Sequence, residues 1–377
     1  MKIVFTGGGT GGHFYPIIAV AQKLNKIIDN EKILGVKLYY ISNTPYDKEV
    51  LFENRIVFVQ VNAGKMRTYF SFKNFSDFFK MGFGTISAVF KLFSIFPDVV
   101  FSKGGYASFP TVAAAWFLRI PVFIHESDSV PGRVNKWAGK FAKKVAISFP
   151  EAIDYFPKKI TAWTGNPIRS EIEHPALRDD ALNYFKLEKD LPVILILGGS
   201  QGAELINNMI TDSLLILLEK YQIIHQTGVK NFKTVTGRAD VILKNNPNKS
   251  RYLPYAFMNP LIIKMAAGAT TLIISRAGST LFEIASWGIP SILIPFNESN
   301  GNHSKKNAFN YARSGACTVI EEMNMSSNIF ISEIERIINN KDLLAKMSES
   351  AKSFSKPGAA MKIADELLNM ASIHEDK

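Results

Sequence analysis

Glycines cluster directly after a short apolar run at the start of the chain, in Thr6-Gly-Gly-Gly-Thr-Gly-Gly-His13. Between a strand and a helix, glycines let the backbone approach a ligand closely and aim N–H groups at an anion. Two later loops have the same character, Gly198-Gly-Ser-Gln-Gly-Ala203 and Ser275-Arg-Ala-Gly-Ser-Thr-Leu-Phe-Glu283. We expect these loops to bind the phosphates of a nucleotide and of a second phosphorylated group.

The first loop satisfies the G-x-G-x-x-G pattern of dinucleotide-binding enzymes through Gly7, Gly9 and Gly12. That pattern also calls for an acidic residue at the end of the second strand, whereas this strand ends in Asn43 without a carboxylate. A dinucleotide site and a turn without a ligand both stay open as alternatives. In the third loop, Glu283 falls one turn into the next helix, where its carboxylate can accept both hydroxyls of a ribose.

Short apolar runs alternate with helical patterns along both halves of the chain. Such repeated strand–helix units predict parallel sheets covered on both faces. The fold class is therefore α/β, with two doubly wound domains and a cleft between them. The predicted strands are 2–5, 37–42, 56–61, 98–101, 122–125, 160–163, 192–197, 271–275 and 291–295, and the clearest predicted helices are 14–28, 111–118 and 359–371.

Composition limits the class of protein. The chain has 377 residues, enough for two domains, and a net charge of +11, which favours a polyanionic partner. The sequence contains no run of Lys and Arg interleaved with aromatic residues, so we do not expect a nucleic-acid partner. The single cysteine, Cys317, excludes an internal disulfide and suits a reducing compartment. No apolar run reaches the roughly 18–20 residues of a spanning helix, and the N-terminus lacks the apolar core of a signal peptide, so we expect a cytoplasmic protein.

Six motifs occur in one order along nearly the whole chain, and together they resemble the MurG family. These peripheral-membrane enzymes of peptidoglycan synthesis transfer GlcNAc from UDP-GlcNAc to undecaprenyl-diphosphate-MurNAc-pentapeptide (lipid I), which gives lipid II. The resemblance implies a GT-B fold with two Rossmann-like domains. It assigns 1–164 to an acceptor and membrane-associated domain, on which a helix of about 357–377 packs back, and 165–356 to the UDP-GlcNAc-binding domain. The motifs are Thr6–His13, Gly104–Ser108, His125-Glu126, Thr164–Arg169, Gly198–Ala203 and Ser275–Glu283.

The resemblance also implies roles for single residues. His13 matches a histidine at the reaction centre, Glu283 the ribose-binding glutamate, and Met258 a position whose backbone reads uracil. The acceptor loop comprises Gly104, Gly105, Tyr106 and Ser108. The substrate-binding set comprises Thr10, Gly11, Gly12, Asp128, Arg169, Ser200, Met258, Glu283, His303 and Ser304, of which Arg169 and Ser200 face the donor diphosphate.

The sequence departs from the family at two ligand positions. Asp128 stands where the family usually has Asn, which places a charge near the diphosphate. Ser304 stands where the family has a sugar-reading Gln, and the neighbouring His303 is an alternative ligand for the GlcNAc hydroxyls. Either His13 or Asp128 could deprotonate the C4 hydroxyl of MurNAc. The two departures keep open a non-catalytic nucleotide-sugar-binding subunit, and a UDP-GlcNAc 2-epimerase of the same fold is the second alternative.

Many glycosyltransferases hold the donor diphosphate with a metal bound by Asp-x-Asp, and this chain contains no such pattern. Backbone amides, hydroxyls and Arg169 would hold the diphosphate instead, so we expect no metal and no other cofactor.

The segment from Phe70 to Phe96 holds nine of the 28 phenylalanines in the chain. Seven apolar residues there follow helical steps of three or four, which is typical of a helix that packs on a core. Because lysines and arginines flank the segment, we expect it instead to dock on an anionic membrane surface, at the cytoplasmic face of the cell membrane. The expected membrane contacts are Phe75, Phe78 and Trp116.

Overall fold

The computed structural model describes residues 1–64, 73–198, 203–296 and 302–375, without the side chains of 73–76, 78, 374 and 375. The chain divides into two compact units. Unit 1 comprises Met1–Arg169 and Lys356–Lys377, and unit 2 comprises Ser170–Ser355. The first unit thus extends to Arg169, beyond residue 164 at which the sequence predicts the boundary.

Unit 1 is built on a parallel sheet of seven strands in the order β3-β2-β1-β4-β5-β6-β7. Its strands are β1 (Lys2–Thr6), β2 (Lys37–Ser42), β3 (Ile56–Gln60), β4 (Val99–Ser102), β5 (Val122–Glu126), β6 (Lys144–Ile147) and β7 (Thr161–Trp163). Its helices are α1 (Gly11–Glu31), α2 (Lys48–Glu53), α3 (Lys73–Ile95), α4 (Phe109–Phe117), α5 (Arg133–Ala138) and, from the end of the chain, α14 (Ala359–Glu375).

Both faces of this sheet are buried, which explains why its central strands are nearly continuous apolar runs. On one face, Ile363 and Leu367 of α14 pack with Leu24 of α1 in a core of fully buried side chains. On the other face, α3 and α4 cover the sheet through residues such as Leu92 and Val112. The strand order reverses between β1 and β4, and ligands of such sheets bind outside the carboxyl ends of the strands at that point.

Unit 2 repeats the design with six parallel strands in the order β10-β9-β8-β11-β12-β13, and the order reverses between β8 and β11. Its strands are β8 (Val193–Leu197), β9 (Gln222–Gln226), β10 (Tyr252–Tyr255), β11 (Leu272–Ser275), β12 (Ser291–Leu293) and β13 (Cys317–Val319). Its helices are α6 (Arg178–Phe185), α7 (Glu204–Lys220), α8 (Phe232–Ile242), α9 (Pro260–Ala269), α10 (Thr280–Trp287), α11 (His303–Ala312), α12 (Ser327–Ile338) and α13 (Lys341–Phe354).

The predicted fold class is confirmed, because both units are parallel sheets flanked by helices. The nine predicted strands all form, with ends that differ by at most two residues. Four further strands, β6, β9, β10 and β13, were not predicted. In β9 only Ile223 and Ile224 are apolar. The other three are only three or four residues long and interrupted by polar residues or proline. In runs that short, the alternation of apolar and polar residues is too brief for a strand to be recognised.

Residues 73–95 of the phenylalanine-rich segment form one unbroken helix, α3, although they include two glycines. Packing requires a glycine at position 84, because a Cβ there would overlap the carbonyl oxygen of Asn62. On one side of the helix, each large apolar residue is 49–71% exposed to solvent. The neighbouring helix α4 packs along α3 and adds two more exposed aromatic residues. We call this surface the apolar face; it comprises Phe79, Phe83, Ile86, Phe90 and Phe93 of α3 with Trp116 and Phe117 of α4.

The interpretation of the periodic stripe as a core-facing surface is therefore wrong for its described members, since Met81, Ala88 and Leu92 form the buried side. Phe75 and Phe78, the predicted membrane contacts on this helix, have side chains that lie outside the described part. Within the described ranges, no helix combines the length and the apolar character that a membrane span requires.

Candidate active site

Three loops of unit 1 meet at the carboxyl ends of β1, β4 and β5. The carbonyl oxygen of Gly7 accepts hydrogen bonds from the Tyr40 hydroxyl and the Ser42 hydroxyl, both at 2.9 Å, which fixes the glycine loop to β2. The loop after β4 lies against it so closely that a Cβ on Gly105 would stand 2.9 Å from the Gly8 oxygen. Only glycine leaves room for the two backbones to approach in this way.

His13 lies in the first turn of α1, inside this pocket of glycines. Its Nδ1 is 3.0 Å from Oγ1 of Thr10, and its Nε2 lies close to Gly105, 3.4 Å from where a Cβ would be. Burial and, after it, the charge of Lys103 lower the pKa of His13 to about 4, against a partial opposing effect of Asp128. The imidazole is therefore neutral at pH 7, which is the state that can accept a proton.

The other predicted members of the glycine loop lie around this imidazole. Thr10 is exposed and ends the loop as the N-cap of α1, while Gly11 and Gly12 are half-buried in the first turn. Arg169, at the end of unit 1, places its guanidinium 4.0 Å from the centre of the Tyr15 ring, and its Nε has no hydrogen-bond partner among the described residues. The structure thus brings Arg169 to the helix that carries His13.

Of the acceptor loop, Gly105 and Tyr106 lie against the glycine loop, Gly104 lies against Asn135, and Ser108 turns inward. Gly104 and Gly105 have φ of +81° and +84°, a region open to glycine. The ring of Tyr106 lies against Gly9, within 3.1 Å of where a Cβ would stand. Ser108 is fully buried, and its hydroxyl donates to the Gly105 oxygen at 2.8 Å, so it shapes the loop rather than facing a ligand.

The loop at the end of β5, which includes His125-Glu-Ser-Asp128, is organised by the buried carboxylate of Glu126. Its two oxygens accept from the Asp128 N–H at 2.9 Å, the Gly132 N–H at 3.0 Å and Nδ2 of Asn135 at 3.0 Å. Burial and the nearby Asp128 raise the pKa of Glu126 to about 7. Asp128 itself is half-buried at the turn of this loop, on the same side as His13, whose pKa it affects.

Sequence reasoning missed one residue at the centre of this cluster, Lys103. It follows β4 directly, its side chain is only 1% exposed, and its Nζ has no hydrogen-bond partner among the described residues. Burial lowers the pKa of Lys103 to about 8, while Glu126 and Asp128 raise it in part. The signal was present in the sequence as a charged residue between a buried strand and two glycines.

Unit 2 holds the predicted nucleotide-binding residues. Glu283 is half-buried in the first turn of α10, next to the loop after β11. Met258 is buried, and its N–H donates to Oε1 of Gln226 at 3.2 Å. His303 begins α11, and Ser304 accepts a hydrogen bond from the Phe296 N–H at 3.0 Å. Ser200 lies outside the described residues.

One charged residue of the third glycine loop has a structural role. Arg276 pairs with Glu322 at 2.5 Å, donates to the Ile294 oxygen at 3.1 Å, and lies 4.6 Å from the centre of the Phe296 ring. Its guanidinium therefore anchors the loop after β11 to the neighbouring segments. In the described part of the chain, no three His, Cys, Asp or Glu side chains come together as a metal site would require.

Comparison with known proteins covers both units. Residues 3–147 match the glycosyltransferase family 28 N-terminal domain, and residues 193–363 match the glycosyltransferase family 28 C-terminal domain. A Bacillus thuringiensis relative is 36% identical over 90% of this chain and 92% of its own length. It is named UDP-N-acetylglucosamine–N-acetylmuramyl-(pentapeptide) pyrophosphoryl-undecaprenol N-acetylglucosamine transferase 3.

Solved structures agree with this match. The crystal structure of Acinetobacter baumannii MurG is similar with a TM-score of 0.73 and 25% identity, over 98% of this chain and 99% of that chain. UDP-GlcNAc 2-epimerase from Neisseria meningitidis, solved with UDP-GlcNAc, has a TM-score of 0.67 at 16% identity, over 98% of this chain and 100% of its own. At that identity the second likeness is one of fold alone.

Proposed function

This chain belongs to glycosyltransferase family 28 and within it to the MurG family, and we propose that it transfers GlcNAc from UDP-GlcNAc to lipid I. The product is lipid II, and the acceptor atom is the C4 hydroxyl oxygen of MurNAc. The observation in unit 1 that carries this proposal is the neutral imidazole of His13, set among three loops at the switch point of the sheet. Such a site can accept a proton beside a bound anion.

The transfer forms one bond and breaks another. The C4 oxygen of MurNAc attacks C1 of GlcNAc, the bond from C1 to the diphosphate oxygen breaks, and UDP leaves with the electron pair. The hydroxyl proton passes to Nε2 of His13, provided that Nδ1 carries the hydrogen and donates to Thr10. Attack opposite to the leaving group inverts the configuration at C1.

Binding of the two substrates follows from the two sets of loops. In unit 2, Glu283 would accept hydrogen bonds from the ribose hydroxyls, and the N-terminus of α10 would face the diphosphate of UDP. Met258, His303 and Ser304 complete the proposed nucleotide-sugar set. In unit 1, the loops around His13 would bind the diphosphate of lipid I. Arg169, whose guanidinium lies on the Tyr15 ring, would supply a cation to the diphosphate of the donor.

A GlcNAc transfer assay tests this function. Radiolabelled UDP-GlcNAc is incubated with a lipid I analogue, and labelled disaccharide product is expected only when the acceptor is present. A new UDP-sugar formed from UDP-GlcNAc alone would indicate an epimerase. UDP-GlcNAc binding without either product would indicate a non-catalytic subunit.

We further propose that the apolar face docks on the anionic surface of the membrane that holds lipid I, at its cytoplasmic side. Seven large apolar side chains share this face on α3 and α4, and each is at least 49% exposed. Isolated exposed apolar residues are ordinary, but a continuous stripe of this size marks an interaction surface. Trp116 and Phe117 of this face also line a cavity of about 440 Å³ together with Phe141, Arg119 and Lys143. Aromatic side chains next to cations match a lipid interface, where each basic residue contributes about 1 kcal/mol.

Sedimentation with anionic liposomes at rising salt tests the docking. A double variant, Phe83→Ser with Phe90→Ser, removes two side chains that are 70% and 71% exposed, so the fold should be retained. It should sediment less than the parent while its transfer to a water-soluble, short-chain acceptor stays intact. Phe52→Ser is the matched control, because Phe52 is 85% exposed but lies on α2. Equal sedimentation of parent and double variant would refute the docking surface.

A further inference from the structure

Lys103 is a buried cation at the point where the three loops of unit 1 meet. Its side chain is 1% exposed, and its Nζ has no hydrogen-bond partner in the described part of the chain. A buried ammonium without partners is costly, and proteins keep such groups mainly where they serve a function.

Four titratable groups lie near enough to interact electrostatically with this ammonium. His13 lies on α1, His125 and Glu126 end β5, and Asp128 stands in the loop that follows. Burial lowers the pKa of His13 and His125 most, and the charge of Lys103 lowers both further. Burial also lowers the pKa of Lys103, and the two carboxylates offset part of that change. One buried cation is therefore linked to both residues that could act as the base.

We propose that Lys103 is a positioning residue of the transfer reaction, whose ammonium balances the carboxylates of Glu126 and Asp128 and leaves the role of proton acceptor to His13. This inference rests on the function proposed above. Asp128 and His13 then have different tasks: the carboxylate offsets the charge of Lys103, and the imidazole takes the proton from the C4 hydroxyl. Lys103 itself neither gains nor loses a proton in the step.

The charge of Lys103 can be tested without turnover by following the protonation of His13. The imidazole signal of His13, assigned with a His13→Gln variant, is titrated by NMR in the protein without substrates. Lys103→Met should raise the midpoint of His13 by on the order of one pH unit, because a neighbouring cation has been removed. Lys103→Arg, which keeps the charge, should restore the parent midpoint.

Asp128→Asn should shift the His13 midpoint in the opposite direction, and this substitution leaves the buried core unchanged. Asp128 is half-buried, and the loss of its negative charge should lower the midpoint of His13. If the Lys103→Met protein does not fold, Asp128→Asn carries the test by itself.

The pH profile of kcat/KM provides the second readout. Its acidic limb should move to higher pH in Lys103→Met and to lower pH in Asp128→Asn, in the same directions as the His13 midpoints. Equal His13 midpoints in the parent and both variants would overturn the inference. If the midpoints move as expected and no GlcNAc is transferred, the proposed function fails while the coupling of charges stands.

Discussion

Replacing Gly105 by alanine tests the close approach of the loops around His13. Gly105 has φ +84° and ψ 161°, a backbone region that is essentially restricted to glycine. An added Cβ would lie 2.9 Å from the Gly8 oxygen and 3.4 Å from Nε2 of His13. The first distance is shorter than carbon and oxygen tolerate, so the two loops must move apart.

The backbone conformation alone should cost about 1–3 kcal/mol of unfolding free energy in Gly105→Ala. For a domain of this size, about 2–4 °C per kcal/mol predicts a fall in Tm of roughly 2–12 °C. A displacement of the His13 imidazole by about 1 Å should lower kcat by up to about 10²-fold. Thermal unfolding and the GlcNAc transfer assay, run on the same preparations, measure both effects.

Gly82→Ala is the control, because Gly82 lies in α3 with nothing within 4 Å of an added Cβ. It should be as stable as the parent or more so, by about 0.5–1 kcal/mol, since alanine favours a helix over glycine. If Gly105→Ala keeps both the Tm and the kcat of this control, the loops do not require glycine and the reasoning about the pocket is refuted.

Four further predictions concern the chemistry of the site. His13→Ala should lower kcat by about 10²–10⁴-fold. The control His174→Ala, at an exposed histidine, should leave kcat unchanged. A loss of that size in Asp128→Asn but not in His13→Ala would identify Asp128 as the base. Glu283→Ala should weaken UDP-GlcNAc binding by about 1.5–3 kcal/mol, since two ribose hydroxyls lose a charged partner, and an unchanged KM for UDP-GlcNAc would remove it from the site. EDTA should leave transfer unchanged because the chain has no Asp-x-Asp, and a strict Mg²⁺ requirement for donor binding would contradict this. Burial raises the pKa of Glu126 from 4.5 to about 7, so the folded state binds a proton more tightly than the unfolded state does. The stabilisation of the fold by this proton is full below pH 4.5 and is lost as the pH rises through 7. Urea unfolding at pH 5 and 8 should show a smaller difference in Glu126→Gln than in the parent.

The sequence alone predicted the fold class, because strand and helix periods are local properties of the chain. The run Lys37–Ser42 forms β2 with both ends as predicted, and the glycine loops follow β1, β8 and β11. The order of motifs also predicted the family, since each motif keeps its place along the chain. Short strands such as β6 could not be found, because their stability comes from the strands beside them rather than from their own residues.

What only the tertiary structure decided is the environment of side chains whose local pattern was ambiguous. The periodic stripe on α3 fitted both a core and a surface, and the exposure of Phe83 and Phe90 decided for the surface. Lys103 gave no motif, yet the sheet order places β4 between β1 and β5 and so brings its ammonium beside His13, Glu126 and Asp128. Periodicity describes one segment, whereas the burial of a charge depends on neighbours from distant segments, and these meet only when the sheet assembles.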